Sequence, residues 1–117
     1  MTRITLLSTP KGRPLGYRVE GHTGYAEAGQ DIVCAALSFL SYTCANALES
    51  IASLAPETKV HEESGFIQVA LQENQTTQAS DIILKVFQQG ITDLQEAYPQ
   101  NITVLNVHEW RNYHVEA

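Results

Sequence analysis

The segment Asp31-Ile32-Val33-Cys34-Ala35-Ala36-Leu37-Ser38, continued through Phe39 and Leu40 to Leu54, carries apolar side chains at Val33, Leu37, Leu40, Cys44, Leu48 and Ile51. At about 100° per residue these positions fall on one stripe, the pattern of a helix packed on a sheet. Asp31 is the expected N-cap, and Pro56 closes the segment. Upstream, residues 2–8 and 15–20 read as two strands around Pro10-Lys11-Gly12-Arg13-Pro14, with Leu15, Tyr17 and Val19 alternating with Gly16, Arg18 and Glu20. Between hairpin and helix, Gly21, Gly24 and Gly29 are too many glycines for regular structure, so a flexible loop is expected over 21–30. Downstream, strands are expected at 58–62 and 66–71, joined at Ser64-Gly65. A second helix is expected at 78–98, with Ile82, Ile83, Val86, Phe87, Leu94 and Ala97 on its apolar face and Pro99 as its stop. Gly90 interrupts that face, and the expectation is that another element approaches it closely. A last strand covers 102–109, leaving Trp110 and Tyr113 in a tail. The order ββαββαβ predicts an α+β two-layer sandwich, a mixed sheet with both helices on one face. The opposite face is then polar or covered by a second subunit.

A length of 117 residues suits a single domain, 1–117. With 44% hydrophobic and 17% charged residues the chain has the composition of an ordinary globular domain rather than a disordered one. The formal charge of −6 argues against a general nucleic-acid surface. That charge is unevenly placed. Arg3, Lys11, Arg13 and Arg18 all precede the first carboxylate, Glu20, so residues 1–18 carry +4; the remainder has three basic against thirteen acidic residues, a net −10. The first is expected to be a solvated basic hairpin, the second a surface that attracts a basic partner. No signal-peptide pattern opens the chain and no run approaches the roughly 18 apolar residues of a membrane span, so a cytoplasmic location without membrane contact is expected. Asn74-Gln75-Thr76 and Asn101-Ile102-Thr103 match the glycosylation tripeptide only by chance in that setting.

Two cysteines remain to be explained. Cys34 and Cys44 lie ten residues apart on one helix, about 15 Å along its axis, beyond the roughly 7 Å that a disulfide tolerates between Cα atoms. Cys44 lies within the apolar stripe and is expected to be a small buried hydrophobe. Cys34 lies about 100° away, on a narrow face with Ser38, Ser41 and Ala45. If Asp31 is the N-cap, Cys34 is the third helical residue, where unpaired N–H groups and the positive end of the helix dipole favour a thiolate and offer donors to an oxyanion. A thiol nucleophile needs a base, and His22 stands at the end of the second strand, across the glycine loop from Cys34. Such a pair is compatible with catalysis, with a core cysteine and a surface histidine, or with neither residue meeting the other. His61, His108 and His114 fall in strand or tail positions, and no paired Cys/His spacing marks a metal site.

The run Gly21-His22-Thr23-Gly24-Tyr25-Ala26, followed by Gly29-Gln30 and Asp31-Ile32-Val33-Cys34-Ala35-Ala36-Leu37-Ser38, resembles the ribosomal-processing cysteine proteases called Prp. Thr23 stands where that family commonly has a smaller residue, and Leu37 where it has a β-branched one. The resemblance spans essentially the whole chain. It implies a homodimeric endopeptidase, without cofactor or metal, that removes the N-terminal extension of large-subunit ribosomal protein number twenty-seven during ribosome maturation. Cleavage in the family follows paired aromatic residues and precedes a lysine-rich segment. By the same resemblance Cys34 is the nucleophile, His22 the general base, Asp31 and Ser38 supporting residues, and the loop bearing Gly24 and Gly29 a segment that moves aside for substrate. A thiol-dependent acyl-transfer enzyme and a non-catalytic dimeric module docking on ribosomal components are the competing readings.

Overall fold

The structure, a computed structural model, describes residues 1–21 and 31–108. Strands β1 (Thr2–Ser8) and β2 (Pro14–Glu20) form a hairpin, α1 spans Ile32–Ser50, β3 (Glu57–His61) and β4 (Phe66–Ala70) form a second hairpin, α2 spans Gln78–Ala97 and β5 is Ile102–Val107. The five strands make one sheet in the order β3-β4-β2-β1-β5. Its pairings are antiparallel except for β5, which runs parallel to β1 with Ile4 opposite Val104. The order ββαββαβ and the mixed sheet agree with the α+β expectation.

Each helix begins where a side chain can take over an unpaired backbone donor. The Asp31 carboxylate accepts from the Cys34 N–H at 2.9 Å. At α2 the Thr77 hydroxyl accepts from Ser80 N–H at 3.1 Å while Ser80 Oγ accepts from Thr77 N–H at 2.9 Å, a reciprocal capping box. The first helix ends earlier than its apolar stripe suggests. Beyond Ser50 the backbone unwinds through Ser53 in the left-handed region (φ 58), and the Leu54 N–H folds back onto the Leu48 carbonyl at 2.9 Å. Ile51 therefore lies past the helix and is 71% exposed. In α2 the buried stripe is Ile83, Leu84, Phe87 and Ile91, whereas Ile82, Val86 and Ala97 face outward.

The core lies between the helices and the sheet. Ile4, Tyr17, Val19, Ile67 and Val69 rise from the strands to meet Val33, Leu37, Cys44 and Leu48 of α1 and the buried stripe of α2. Tyr17 stacks on Phe87 at 3.7 Å between centroids, and its hydroxyl donates to the Ser41 carbonyl at 2.5 Å, fastening α1 to the sheet. At Gly90 a Cβ would come within 2.7 Å of Leu40 Cδ2, the close helix–helix approach expected there. By length and composition α1 does reach the threshold for a membrane-crossing helix, with a mean hydropathy of 1.4, against the expectation that no run does. Its Val33, Leu37, Cys44 and Leu48 side chains are nevertheless buried on the sheet.

The other sheet face is mixed rather than uniformly polar: Arg3, Thr5, Arg18, Glu20, Lys59 and Gln68 share it with Leu7, Phe66, Ala70, Leu105 and Val107, and Thr5, Leu7, Arg18, Gln68 and Ala70 are buried. The basic residues of the first hairpin do not form one patch. Arg13 grips Asp81 at the start of α2 through two contacts of 3.0 and 3.2 Å, while Arg18 sits 3.4 Å from Glu20 and 5.8 Å above the Phe66 ring.

Three buried protons make the fold sensitive to alkali. Burial raises the Tyr17 hydroxyl far above its ordinary 10.0, with Cys44 as a second cause; burial also raises Cys44 above 9.0, and burial followed by the Asp31 carboxylate raises Cys34. The unfolded chain then releases these protons first, so what these three groups contribute to stability is full below about pH 8 and is lost as the pH rises further. Urea midpoints between about pH 8 and pH 11 are expected to decline steadily. In Tyr17→Phe the decline is shallower, set against a loss of about 1 kcal/mol at neutral pH from the missing hydrogen bond. An equal alkaline slope in both proteins would refute the assignment to Tyr17.

Candidate active site

Cys34 is the third residue of α1, as the N-cap reading requires, and is half-buried, whereas Cys44 is 4% exposed in the core. Both are free thiols. The helix start lies beside the end of β2, because α1 doubles back along the sheet once β2 has ended at Glu20. Cys34 there forms part of the wall of a cleft of about 300 Å³. From α1 the cleft takes Leu37, Ser38, Ser41 and Tyr42; from the sheet it takes Thr2, Val19 and Ile67; and from the turn that joins β3 to β4 it takes Glu62 and Gly65. The lining is mostly apolar, and the volume admits an aromatic side chain.

The narrow face identified from the sequence thus becomes two things. Ser38 is exposed on the cleft wall, while Ser41 and Ala45 are buried, small enough to let α1 settle against Tyr17. Asp31 is the N-cap, holding the Cys34 amide. Two consequences follow for the thiol. The Cys34 N–H and the Ala35 N–H, which bonds the Asp31 carbonyl at 3.1 Å, are both committed, whereas the amides of Ile32 and Val33 have no acceptor among the described residues. The thiol is also pushed up from its ordinary value, against the expectation of a helix-stabilised thiolate: burial is the larger cause and the neighbouring Asp31 carboxylate the second. His22, Gly24 and Gly29 lie outside the described residues, as do Trp110 and Tyr113.

Tyr42, Glu62 and Gly65 of the cleft were not legible as site residues. Tyr42 had a signal: Cys34, Ser38, Ser41 and Tyr42 stand at i, i+4, i+7 and i+8, one helical face. Glu62 and Gly65 had none, because only the antiparallel pairing of β4 with β2 brings their turn to the start of α1.

The double role of Asp31 is separable. Asp31→Asn keeps a good capping group and removes the charge, so the pH profile of Cys34 alkylation by iodoacetamide is expected to move to lower pH with thermal stability nearly unchanged. Asp31→Ala is expected to move the profile as well and to lose about 1 kcal/mol. Peptide mass mapping, with buried Cys44 as the slow internal reference, reads both; an unmoved profile in Asp31→Asn would remove the carboxylate as a cause.

Comparison with known proteins places this geometry in context. The family model described as cysteine protease Prp matches residues 1–103. The ribosomal processing cysteine protease Prp of Bacillus subtilis is 24% identical over 93 residues, covering 77% of this chain and 83% of that protein. The protein of the same name from Staphylococcus aureus is 24% identical over 102 residues, covering 87% and 95%. Among solved structures, the S. aureus Prp with a covalently linked product peptide shares the fold with a TM-score of 0.85 at 21% identity, covering 92% of this chain and 100% of that one. A Streptococcus mutans protein is similar at a TM-score of 0.81 and 32% identity, covering 92% and 94%.

Proposed function

The chain belongs to the cysteine protease Prp family, and from that premise we propose that it is an endopeptidase that removes the N-terminal extension of large-subunit ribosomal protein number twenty-seven, cleaving after an aromatic residue. The observation that carries this reading is the position of Cys34, in the first turn of α1 on the wall of an apolar cleft that admits an aromatic ring. Two relatives bear names that assign them to ribosomal processing. The protein would act as a cytoplasmic homodimer and needs no cofactor for this chemistry.

His22 is the proposed general base and Cys34 the nucleophile. Burial and the Asp31 carboxylate keep the thiol protonated near neutral pH, so the nucleophile forms by proton transfer to the imidazole as the bond is made, rather than standing as a preformed thiolate. The sulfur adds to the scissile carbonyl carbon, and among the described residues the Ile32 and Val33 amides are the proposed donors to the oxyanion. Collapse breaks the C–N bond as His22 returns its proton to the leaving amine, and water then hydrolyses the thioester. Ser38, exposed one turn along the same wall, is placed to contact the peptide.

Mixing the protein with the extended ribosomal protein and following its mass tests the reading directly. Loss of the extension at one bond after an aromatic residue is the expected result; an intact substrate alongside turnover of small thioesters would instead identify an acyl-transfer enzyme.

A further inference from the structure

Ser41 lies two turns along α1 from Cys34, in the lining of the same cleft, and is 1% exposed. Its hydroxyl has no hydrogen-bond partner among the described residues, not even the Leu37 carbonyl four residues back, where a helical serine commonly turns. A buried oxygen in that state costs stability and calls for a reason. Packing does not supply one. The position has to be small because the Tyr17 hydroxyl donates to the Ser41 carbonyl and draws the helix onto the sheet, but Ala45, buried on the same helix face, is small without an oxygen. The other hydroxyls and carboxylates of the lining are already provided for: Thr2 Oγ1 donates to the Gly21 carbonyl at 3.4 Å, while Ser38, Tyr42 and Glu62 are exposed to solvent. The seven residues from Cys34 to Ser41 rise about 10 Å along the helix axis. A side chain carrying a para substituent on its ring spans that separation when its own carbonyl lies at the Cys34 sulfur.

We infer that Ser41 is a specificity-determining residue: its hydroxyl bonds the phenol oxygen of a tyrosine held in the cleft, so that the protein prefers tyrosine to phenylalanine there. A serine hydroxyl can donate to a phenol or accept from it, so either orientation satisfies both oxygens. The preference has two sources. Tyrosine gains a hydrogen bond in a water-poor setting, whereas phenylalanine seals Ser41 behind an apolar ring and leaves its oxygen unpaired. The inference rests on the protease reading for the bond that is cut, whereas the choice between the two rings concerns binding.

Three fluorescent peptides, identical but for phenylalanine, tyrosine or para-methylphenylalanine at the aromatic position, test this on the Cys34→Ala protein, in which cleavage does not interfere. The tyrosine peptide is expected to bind about three- to tenfold more tightly than the phenylalanine peptide, and the para-methyl peptide no better than phenylalanine. Ser41→Ala in the same background is expected to reverse the order, weakening tyrosine while phenylalanine binds as before or more tightly. The urea midpoint of that variant is expected to hold or rise, because an unpaired oxygen leaves the interior of a helix in which alanine is the better residue. A para-methyl peptide as tight as tyrosine would mean that the cleft measures ring length, and equal binding of tyrosine and phenylalanine would mean that solvent satisfies Ser41. Equal weakening of all three peptides by Ser41→Ala, with a lowered midpoint, would make Ser41 a packing residue; each of these results overturns the inference. The two readings fail separately: tyrosine-selective binding with no product defeats the protease alone, and cleavage indifferent to the ring hydroxyl defeats the role of Ser41 alone.

Discussion

Cys34→Ser is expected to lower cleavage of the extended ribosomal protein by about ten-thousandfold or more, while leaving the fold intact. A serine hydroxyl in that place is a poor nucleophile for the proposed imidazole base to activate, and the half-buried position tolerates the exchange because Cys34 lies outside the core cluster. His22→Ala is expected to cost about 10²- to 10⁴-fold, the usual contribution of one general base. The second thiol supplies the control. Cys44→Ser puts a hydroxyl into the core cluster that also holds Leu48 and Phe87, where an unpaired polar group costs about 1–3 kcal/mol, yet the folded fraction should cleave at the normal rate. Activity loss at Cys34 with stability loss at Cys44 is the crossed pattern that the proposed roles predict. Cleavage at the wild-type rate by Cys34→Ser would sink the nucleophile assignment, and no rearrangement of the surrounding site would rescue it.

The largest effect on stability is expected at Gly16. In β2 it pairs with Leu7 on one side and Ala70 on the other, next to a bulge where Leu15 is the extra residue. A Cβ built on Gly16 would lie 1.9 Å from the Val69 carbonyl oxygen and 2.8 Å from the Ala70 Cα. Both obstacles are backbone, so no side chain can rotate out of the way; β2 and β4 would have to separate in the middle of the sheet. Gly16→Ala is therefore expected to cost about 3 kcal/mol or more, a large part of the roughly 5–15 kcal/mol that holds a domain of this size together. Gly12→Ala provides the contrast. Its φ of 91 suits glycine and would strain an alanine, but the space around it is open, so about 1 kcal/mol is expected from the backbone alone. Urea midpoints for the two variants decide the matter, and a Gly16→Ala protein as stable as Gly12→Ala would show that the strands yield more easily than their spacing suggests.

Gly16 illustrates where sequence reading stops. It looked like one more outward position in an alternating strand, because alternation reports which face a residue takes and not how near the next strand comes. The order of elements was legible because it is written in local signals: Asp31 as a cap, the Pro10–Pro14 turn, the stop at Pro99. The choice among Ile82, Ile83 and Leu84 was not, since three adjacent apolar residues satisfy several stripes and only the docked position of α2 selects Ile83 and Leu84. The site divides in the same way. Cys34 was found from its place in a helix and its neighbours in a motif, both properties of contiguous chain. Its raised thiol was beyond sequence reading because burial, the larger cause, depends on the packed structure, although the opposing charge of Asp31 follows from its place as the cap. Glu62 reaches the cleft only through the pairing of β4 with β2.

The parallel pairing of β5 with β1 has a consequence in time. β1 is complete after Ser8, yet its outer edge stays open until Ile102–Val107 has been made. At ribosomal speeds of about 5–20 residues per second, that leaves the nascent chain on the order of five to twenty seconds with a strand of the final core available to any neighbour. In the finished sheet β1 lies inside, and the two borders are β3, short and carrying Glu57, Lys59 and His61, and β5 itself. A protein proposed to trim a ribosomal component would thus itself pass through an interval during its birth when the last strand, not the catalytic helix, determines whether it survives as a monodisperse product.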